Sequence, residues 1–304
     1  MWYVKMELRD KILALKSDKS AIILAHNYQR PEIQDIADYV GDSLGLSRQS
    51  ANIDCKIIVF CGVKFMAESA KILFPNKLVL LPRADAGCHM ANMVTVEELR
   101  DLKSKHPDAK VVCYVNTNAD VKAECDVCCT SSNAVKVVQN IDANKIIFVP
   151  DKNLADYVQR FTDKEIIPWD GYCYVHSKIT AKEVMTTREL HKDAVIIVHP
   201  ECTREVINLA DEVLSTDGMI KFAHTSGAKK FIIGTEEGIL HRLKKENPDK
   251  IFYTLGPARM CENMKKTTLE DVYLALKEEK YQIEIETEIR EKAKKALDKM
   301  LEYT

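Results

Sequence analysis

What this chain lacks narrows its possibilities first. Among its 304 residues, no apolar run approaches the roughly 18 residues a membrane span needs, so no membrane-spanning helix is expected. The opening stretch MWYVKMELRDKIL has neither the apolar stretch nor the small-residue cleavage site of a signal peptide. The expected location is therefore cytoplasmic. Surplus charge is missing too: 44 Lys and Arg face 46 Asp and Glu, a net −2. That balance offers no general attraction for nucleic acid or for an anionic membrane surface. What is present is a 46% hydrophobic share, enough for a sizeable core, and ten cysteines. In a reducing compartment these are expected to be thiols or metal ligands and not disulfides.

The chain also contains an internal repeat. Three apolar, β-branched runs end in polar residues: AIILAHNYQ (21–29), KVVCYVNTN (110–118) and AVIIVHPEC (194–202). With His26, Tyr114 and His199 in register, the spacings are 88 and 85 residues. Seventeen residues beyond each stands a hydroxyl, Ser43, Ser131 or Thr216, and five residues before each hydroxyl an aspartate, Asp38, Asp126 or Asp211. Further apolar runs follow in each copy, KIIVF, KIIFV and KFIIG, then KLVLLP, KEIIP and KIFYTL. Shortly after the last of these comes a cysteine: Cys88, Cys173 or Cys261, spaced 85 and 88 residues apart.

Strands alternating with helices argue for parallel sheets covered on both faces. The fold class expected is α/β: three homologous three-layer α/β/α domains arranged around a pseudo-threefold axis. The expected boundaries are 1–93, 94–178 and 179–266, each ending just after its cysteine loop. A tail, 267–304, contains a charged amphipathic helix expected to pack on the first repeat. Ligands in such layers bind outside the carboxyl ends of the strands, where all the aligned positions fall. Three cysteines meeting on an axis suit a [4Fe–4S] cluster. With three ligands one iron stays open to act as a Lewis acid. A three-cysteine zinc site is disfavoured, because zinc sites prefer short paired ligand spacings.

Other motifs are weaker. The C-x-x-C of CDVCC (125–129) falls beside the short strand before Ser131, so Cys125, Cys128 and Cys129 read as core thiols. Cys55, Cys61, Cys113 and Cys202 have no repeat partners and read as packing residues. His106, His191, His224 and His241 lie in or beside charged helical stretches, and His89 has no counterpart after the other cysteines. At the strand ends the pairs His26 and Tyr28, Tyr114 and Asn116, and His199 and Glu201 each share one strand face, because side chains repeat every two residues. Any one of them is explained as a satisfied polar residue, but three equivalent pairs argue for a pocket lining. Ser43, Ser131 and Thr216 stand where helix N-caps would. Three helix N-termini facing one centre would hold phosphate or carboxylate, so the expected substrate is small and anionic.

The motifs AHNYQRPEIQDIADYVGDS, YVNTNAD, TSSNAV, HPEC, CHMANM, GYCYVH and CENMKKTTLE together resemble the quinolinate synthase (NadA-type) family, over about residues 8–300. The resemblance implies condensation of iminoaspartate (iminosuccinate) with dihydroxyacetone phosphate, giving quinolinate, phosphate and water. It implies a [4Fe–4S] cluster on Cys88, Cys173 and Cys261. His26, Ser43, Tyr114, Asn116, Ser131, His199, Glu201 and Thr216 match the family's substrate-binding positions. Tyr28 and His176 match residues with catalytic or substrate-contacting roles, and Glu201 and His26 join them as expected acid–base groups. His89, Tyr174 and Asp217 depart from common family forms, which bears on loop shape. The resemblance implies no nucleic acid or membrane partner, and allows for a partner enzyme that supplies iminoaspartate. Two other readings stand beside it: a different three-domain iron–sulfur enzyme, reductive or radical, which needs an electron donor, and a non-enzymatic iron–sulfur sensor, which leaves the polar ring unexplained.

Overall fold

The computed structural model describes residues 2–42, 45–46 and 54–303. Its strands form three parallel four-stranded sheets. The first comprises β1 (Ala21–His26), β2 (Tyr39–Gly41), β3 (Ile57–Cys61) and β4 (Leu78–Leu80). The second comprises β5 (Lys110–Tyr114), β6 (Val127–Cys129), β7 (Lys145–Val149) and β8 (Glu165–Pro168). The third comprises β9 (Val195–Val198), β10 (Glu212–Val213), β11 (Lys230–Gly234) and β12 (Ile251–Thr254). Each has the same order, second–first–third–fourth strand, so the sequence repeat is a repeat of topology.

Helices flank every sheet. The first copy carries α1 (Trp2–Asp18), α2 (Pro31–Ile36) and α3 (Lys64–Leu73). The second carries α4 (Val96–Lys105), α5 (Ala119–Lys122), α6 (Ala134–Asn140) and α7 (Lys152–Gln159). The third carries α8 (Ala181–Leu190), α9 (Arg204–Leu209), α10 (Thr216–Thr225) and α11 (Ile239–Glu246). Two more helices close the chain, α12 (Leu269–Glu278) and α13 (Thr287–Glu302). Covered on both faces, the first and third strands are near-continuous apolar runs instead of alternating: all six residues of β1 and all five of β3 are buried. No described helix is long and apolar enough to cross a membrane.

Two compact units result. One contains residues 1–88 and 261–287, the other residues 89–260 and 288–304. In the first unit Ile23, Ala25 and Val59 of the sheet share a core with Ile12 of α1 and with Leu269, Val272 and Leu276 of α12. The segment after residue 266 thus divides, α12 completing the first core and α13 falling in the second unit. In the second unit Ile196, Val198 and Ile232 pack with Val184 of α8 and Val206 of α9.

The three repeat aspartates explain why the sheets share one register. Each second strand is only two or three residues long and lies at a sheet edge. The residue before it clasps the first strand. Asp38 Oδ2 accepts the Ile23 N–H at 2.8 Å while the Asp38 N–H donates to the Ile23 carbonyl at 2.9 Å. Asp126 does the same with Val111 (2.8 and 3.0 Å), and Asp211 with Ile196 (2.8 and 2.9 Å). The other carboxylate oxygen takes a cation each time: Lys16 at 2.6 Å, Lys110 at 2.9 Å and Arg188 at 3.0 Å. The clasp pairs His26 with Gly41, Tyr114 with Cys129 and Val198 with Val213.

The CDVCC thiols behave as core. Cys128 and Cys129 are buried on β6 and Cys125 is half-buried, its Sγ donating to the Val121 carbonyl. Burial pushes all three thiols well above their usual range, which leaves them protonated and unreactive. Cys55, Cys61, Cys113 and Cys202 are buried as well.

Removing one clasp tests its weight. Asp126→Ala is expected to lower stability by about 1–2 kcal/mol, since it strands the Val111 N–H. Asp126→Asn, which keeps an acceptor, is expected to recover at least half of that in the urea midpoint. Equal midpoints for all three proteins would show that the clasp contributes nothing.

Candidate functional site

In the second unit, four of the expected residues, Tyr114, Cys173, His176 and His199, converge on one buried carboxylate. Glu201 follows β9 on a short turn, and its side chain is buried. Tyr114, the last residue of β5, donates its Oη to Glu201 Oε1 at 2.6 Å. His176, on a single turn after Cys173, places Nδ1 2.8 Å from Glu201 Oε2. His199 lies with Nδ1 3.8 Å from Glu201 Oε1, and its ring stacks on that of His176 at 4.6 Å. The Glu201 N–H donates to His199 Nδ1 at 3.3 Å, which puts the proton of the neutral ring on Nε2. Burial alone would push the Glu201 carboxyl up. His176 and His199, with the Tyr114 hydroxyl, outweigh it and hold the group well below the usual carboxylate range.

Cys173 reaches the same place. A ligand atom from each of Cys173, His176 and Glu201 lies within 4.8 Å of the others. The turn that brings them together is closed by the Ser177 N–H donating to the Cys173 carbonyl at 3.0 Å. Beneath it the end of β7 presses close. The Lys152 N–H donates to the Gly171 carbonyl at 2.9 Å, and a Cβ on Gly171 would come within 2.2 Å of the Pro150 carbonyl oxygen. Only glycine fits there.

Four contributors escape a reading of strand-end pairs. Thr235, just past β11, places Oγ1 2.7 Å from His176 Nε2. Asn153 donates Nδ2 to the Glu201 carbonyl at 3.1 Å. Asp151 caps α7, its Oδ1 accepting the Leu154 N–H at 2.8 Å, while burial and then the charge of Glu201 push its own carboxyl well above the usual range. Glu236 is its counterpart past β11, buried, with Oε2 accepting the Gly238 N–H at 2.7 Å. Asp151 and Glu236 each stand two residues beyond the third strand of their sheet, so the repeat carried a signal that pointed to them.

The remaining expected residues are placed less centrally. Asn116 and Ser131 are half-buried. Capping explains neither Ser131 nor Thr216. Asn133 occupies the N-cap of α6, and Ser215 caps α10 by accepting the Gly218 N–H at 3.2 Å, which makes Thr216 the first helical residue. Ser43 lies outside the described residues. His89 is exposed and packs edge-on against Tyr174 at 5.4 Å. His191 stacks on Tyr253 at 4.5 Å, away from Glu201.

In the first unit, His26 ends β1 and repeats the geometry of His199: its Nδ1 accepts the Tyr28 N–H at 3.2 Å, and the two rings meet edge-on at 4.6 Å. The Cys261 loop is tied to the same strand end. Arg30 Nε donates to the Lys265 carbonyl at 2.7 Å, Lys265 Nζ donates to the Tyr28 carbonyl, and Gln29 Nε2 donates to Met264 Sδ at 3.7 Å.

Each cysteine loop also ends alike. Thr95, Thr180 and Thr268, each seven residues past its cysteine, open α4, α8 and α12 with a capping box closed by Glu98, Glu183 or Asp271. Threonine oxygen and acidic side chain each satisfy a backbone N–H of the first turn, which fixes where the loop stops.

The family described as Quinolinate synthetase A protein matches residues 10–302. The chain is 56% identical over 294 residues to a protein from Alkaliphilus metalliredigens named quinolinate synthase, covering 96% of this chain and 97% of that one. A quinolinate synthase from Caldicellulosiruptor bescii is 57% identical over 296 residues, with 97% and 98% covered. One from Methanoregula boonei is 55% identical over 294 residues, with 97% of each chain covered. This chain belongs to the quinolinate synthase family.

Its cysteines fall into two groups by burial. Cys88, Cys173 and Cys261 are half-buried and lie on loops after the fourth strands, whereas every other cysteine except Cys125 is buried. Burial pushes the Cys61 and Cys202 thiols far above their usual range.

The Glu201 shift carries a pH signature. A folded pKa below the unfolded carboxylate value of about 4.3 stabilises the fold at every pH above that value and is lost as pH falls toward the folded one. The stability difference between wild type and Glu201→Gln should therefore be constant from pH 8 to about 5 and narrow below about 4. A difference that persists unchanged at pH 3 would show that the pairing is not ionic.

Proposed function

We propose that the chain makes quinolinate for NAD biosynthesis by condensing iminoaspartate with dihydroxyacetone phosphate, with loss of phosphate and water. The observation that carries this reading is the buried, ionised Glu201 held by Tyr114, His176 and His199, in a member of the quinolinate synthase family. Enolisation and carbon–carbon bond formation both need a proton acceptor; the depressed pKa of Glu201 keeps it ionised but makes it a weak base, so a proton it takes passes on readily to the adjacent His176 ring.

Cys88, Cys173 and Cys261 would hold a [4Fe–4S] cluster, whose open iron supplies Lewis acidity toward a substrate oxygen or nitrogen. The half-buried thiols fit that role. Glu201 takes a proton from the substrate. The adjacent His176 ring, backed by Thr235, receives or returns it. Tyr28, oriented through His26, serves the dehydration and ring-closing proton transfers. His26 and His199, with Nδ1 occupied by a backbone N–H, present Nε2–H as a donor to substrate oxygens. Tyr114 and Asn116 line the strand-end pocket, and the hydroxyls of Ser43, Ser131 and Thr216, with nearby N–H groups, hold phosphate or carboxylate. Small anionic substrates are the partners this site suits, with an iminoaspartate-supplying enzyme upstream.

The test begins with iron and acid-labile sulfide after anaerobic purification. About four of each per chain are expected, lost in Cys88→Ala, Cys173→Ala and Cys261→Ala and retained in Cys128→Ala. Quinolinate should then form from the two substrates without an electron donor, with Glu201→Gln slower by about 10²–10⁴-fold at full iron content. Retention of iron in Cys173→Ala would sink the cluster, and turnover that demands a reductant would sink the condensation.

A further inference from the structure

The second unit encloses a lysine. Lys122, the last residue of α5, is fully buried, and a lysine is almost never enclosed unless its ammonium is paired. Its Nζ reaches back to donate to the Thr117 carbonyl. Thr117, itself fully buried, passes the contact on: its Oγ1 donates to the Tyr114 carbonyl at 3.1 Å and meets Cys113 Sγ at 2.8 Å. The Val115 N–H donates to the Cys129 carbonyl at 2.8 Å. Backbone groups of Tyr114, Val115 and Thr117 are therefore all held, with Asn116 between them. Burial pushes the Cys113 thiol up, but hydrogen bonds with Cys125 and Cys128 and the charge of Lys122 outweigh it and bring it well below its usual range. The ammonium thus has an anionic neighbour inside the core.

In the repeat register the same contact is made by a different residue. Lys122 stands eight residues past Tyr114 and donates to the carbonyl three residues past it. Eight residues past His26 stands Gln34, buried in the first unit. Its Nε2 donates at 2.9 Å to the carbonyl of Gln29, three residues past His26, and at 3.2 Å to that of Asn27. There too the residue after the strand end is tied to the short strand, the Asn27 N–H donating to the Gly41 carbonyl at 3.1 Å. In the third copy the eighth residue is Ile207, which has no side-chain donor, and Asn153 holds the turn instead, through the Glu201 carbonyl at 3.1 Å. An ammonium and an amide have in common the ability to donate into the turn, so packing alone does not account for the recurrence. We propose that Lys122 is a positioning residue of the pocket: acting through Thr117, it sets Tyr114 and Asn116, as Gln34 sets His26 and Tyr28 in the first unit. Without the ammonium the buried Thr117 carbonyl loses a donor, and the turn must shift to find another. Tyr114, whose Oη donates to Glu201 Oε1 at 2.6 Å, shifts with it. The substrate-binding part of this inference rests on the proposed function, in which Tyr114 and Asn116 line the pocket; the lock on the turn does not.

The test compares Lys122→Met, which keeps the chain length and loses the donors, with Lys122→Gln, which supplies the first copy's donor. Both are used as anaerobically purified holoenzyme matched for iron and sulfide content. Lys122→Met should lower kcat/KM for quinolinate formation by about 10–10²-fold. Most of the loss should be a raised KM, because the displaced residues bind substrate and do not take the proton. Lys122→Gln should recover most of it. Thr117→Val, which breaks the next link at similar volume, should raise KM likewise and carries the kinetic test if Lys122→Met does not fold. Amide exchange over residues 113–118, read by mass spectrometry, should quicken in Lys122→Met and return toward the wild-type rate in Lys122→Gln. A lysine that only fills space would lower the active fraction, and so kcat, at unchanged KM. That outcome overturns the proposal, as does a Lys122→Gln no better than Lys122→Met, or unchanged exchange over 113–118 in Lys122→Met. A wild-type enzyme that makes no quinolinate would remove the proposed function and leave amide exchange to judge the lock, so the two readings fall separately.

Discussion

The aspartate clasp is the constraint on which the rest depends. An edge strand of two or three residues cannot hold its register by ladder bonds alone, and a one-residue slip would turn its side chains to the opposite face. In each sheet a carboxylate and its own N–H grip one residue of the first strand from both sides. The grip aligns the end of the short strand with the end of the first one. His26, Tyr114 and His199 therefore arrive at equivalent sheet ends. The cation on the outer oxygen, Lys16, Lys110 or Arg188, offsets the charge where it is half-exposed and adds little otherwise.

On this frame the site is an exercise in separating two carboxylic acids. Glu201 and Asp151 are both buried and feel one another, yet their environments drive them in opposite directions. Glu201 has two imidazoles and a phenol, so it stays ionised. Asp151 has backbone N–H donors only, and the nearby negative charge of Glu201 adds to its burial, so it holds its proton. Environments that differ in this way set two buried acids to opposite roles, one an ionised acceptor of hydrogen bonds and the other inclined to keep its proton. Thr235, Tyr114 and Asn153 fix the geometry that makes the separation possible, by holding His176, the carboxylate and the Glu201 backbone.

Much of this was legible in the chain. The strand runs, their spacing and the three cysteines could be read because a repeat prints each feature three times, and coincidence at one position does not survive two more. The capping threonines seven residues past each cysteine were equally available. The caps lie one or two residues from Ser131 and Thr216, at Asn133 and Ser215, since these are equally good capping residues and helix starts are decided by local backbone geometry. Thr235 and Asn153 were not legible. Each acts on a residue tens of positions away, and nothing in a threonine or an asparagine announces its partner.

By itself, then, the sequence determined the fold class, the threefold repetition, the three in-register cysteines as a set and the strand-end residues, because periodicity and spacing are local properties of the chain. Only the tertiary structure decided which of those residues meet. That Glu201 joins Tyr114, His176 and Cys173 depends on how three separate loops, after β9, β5 and β8, are held in space. The same holds for charge: a glutamate in a sequence has an ordinary pKa, and burial beside two imidazoles is a property of packing alone.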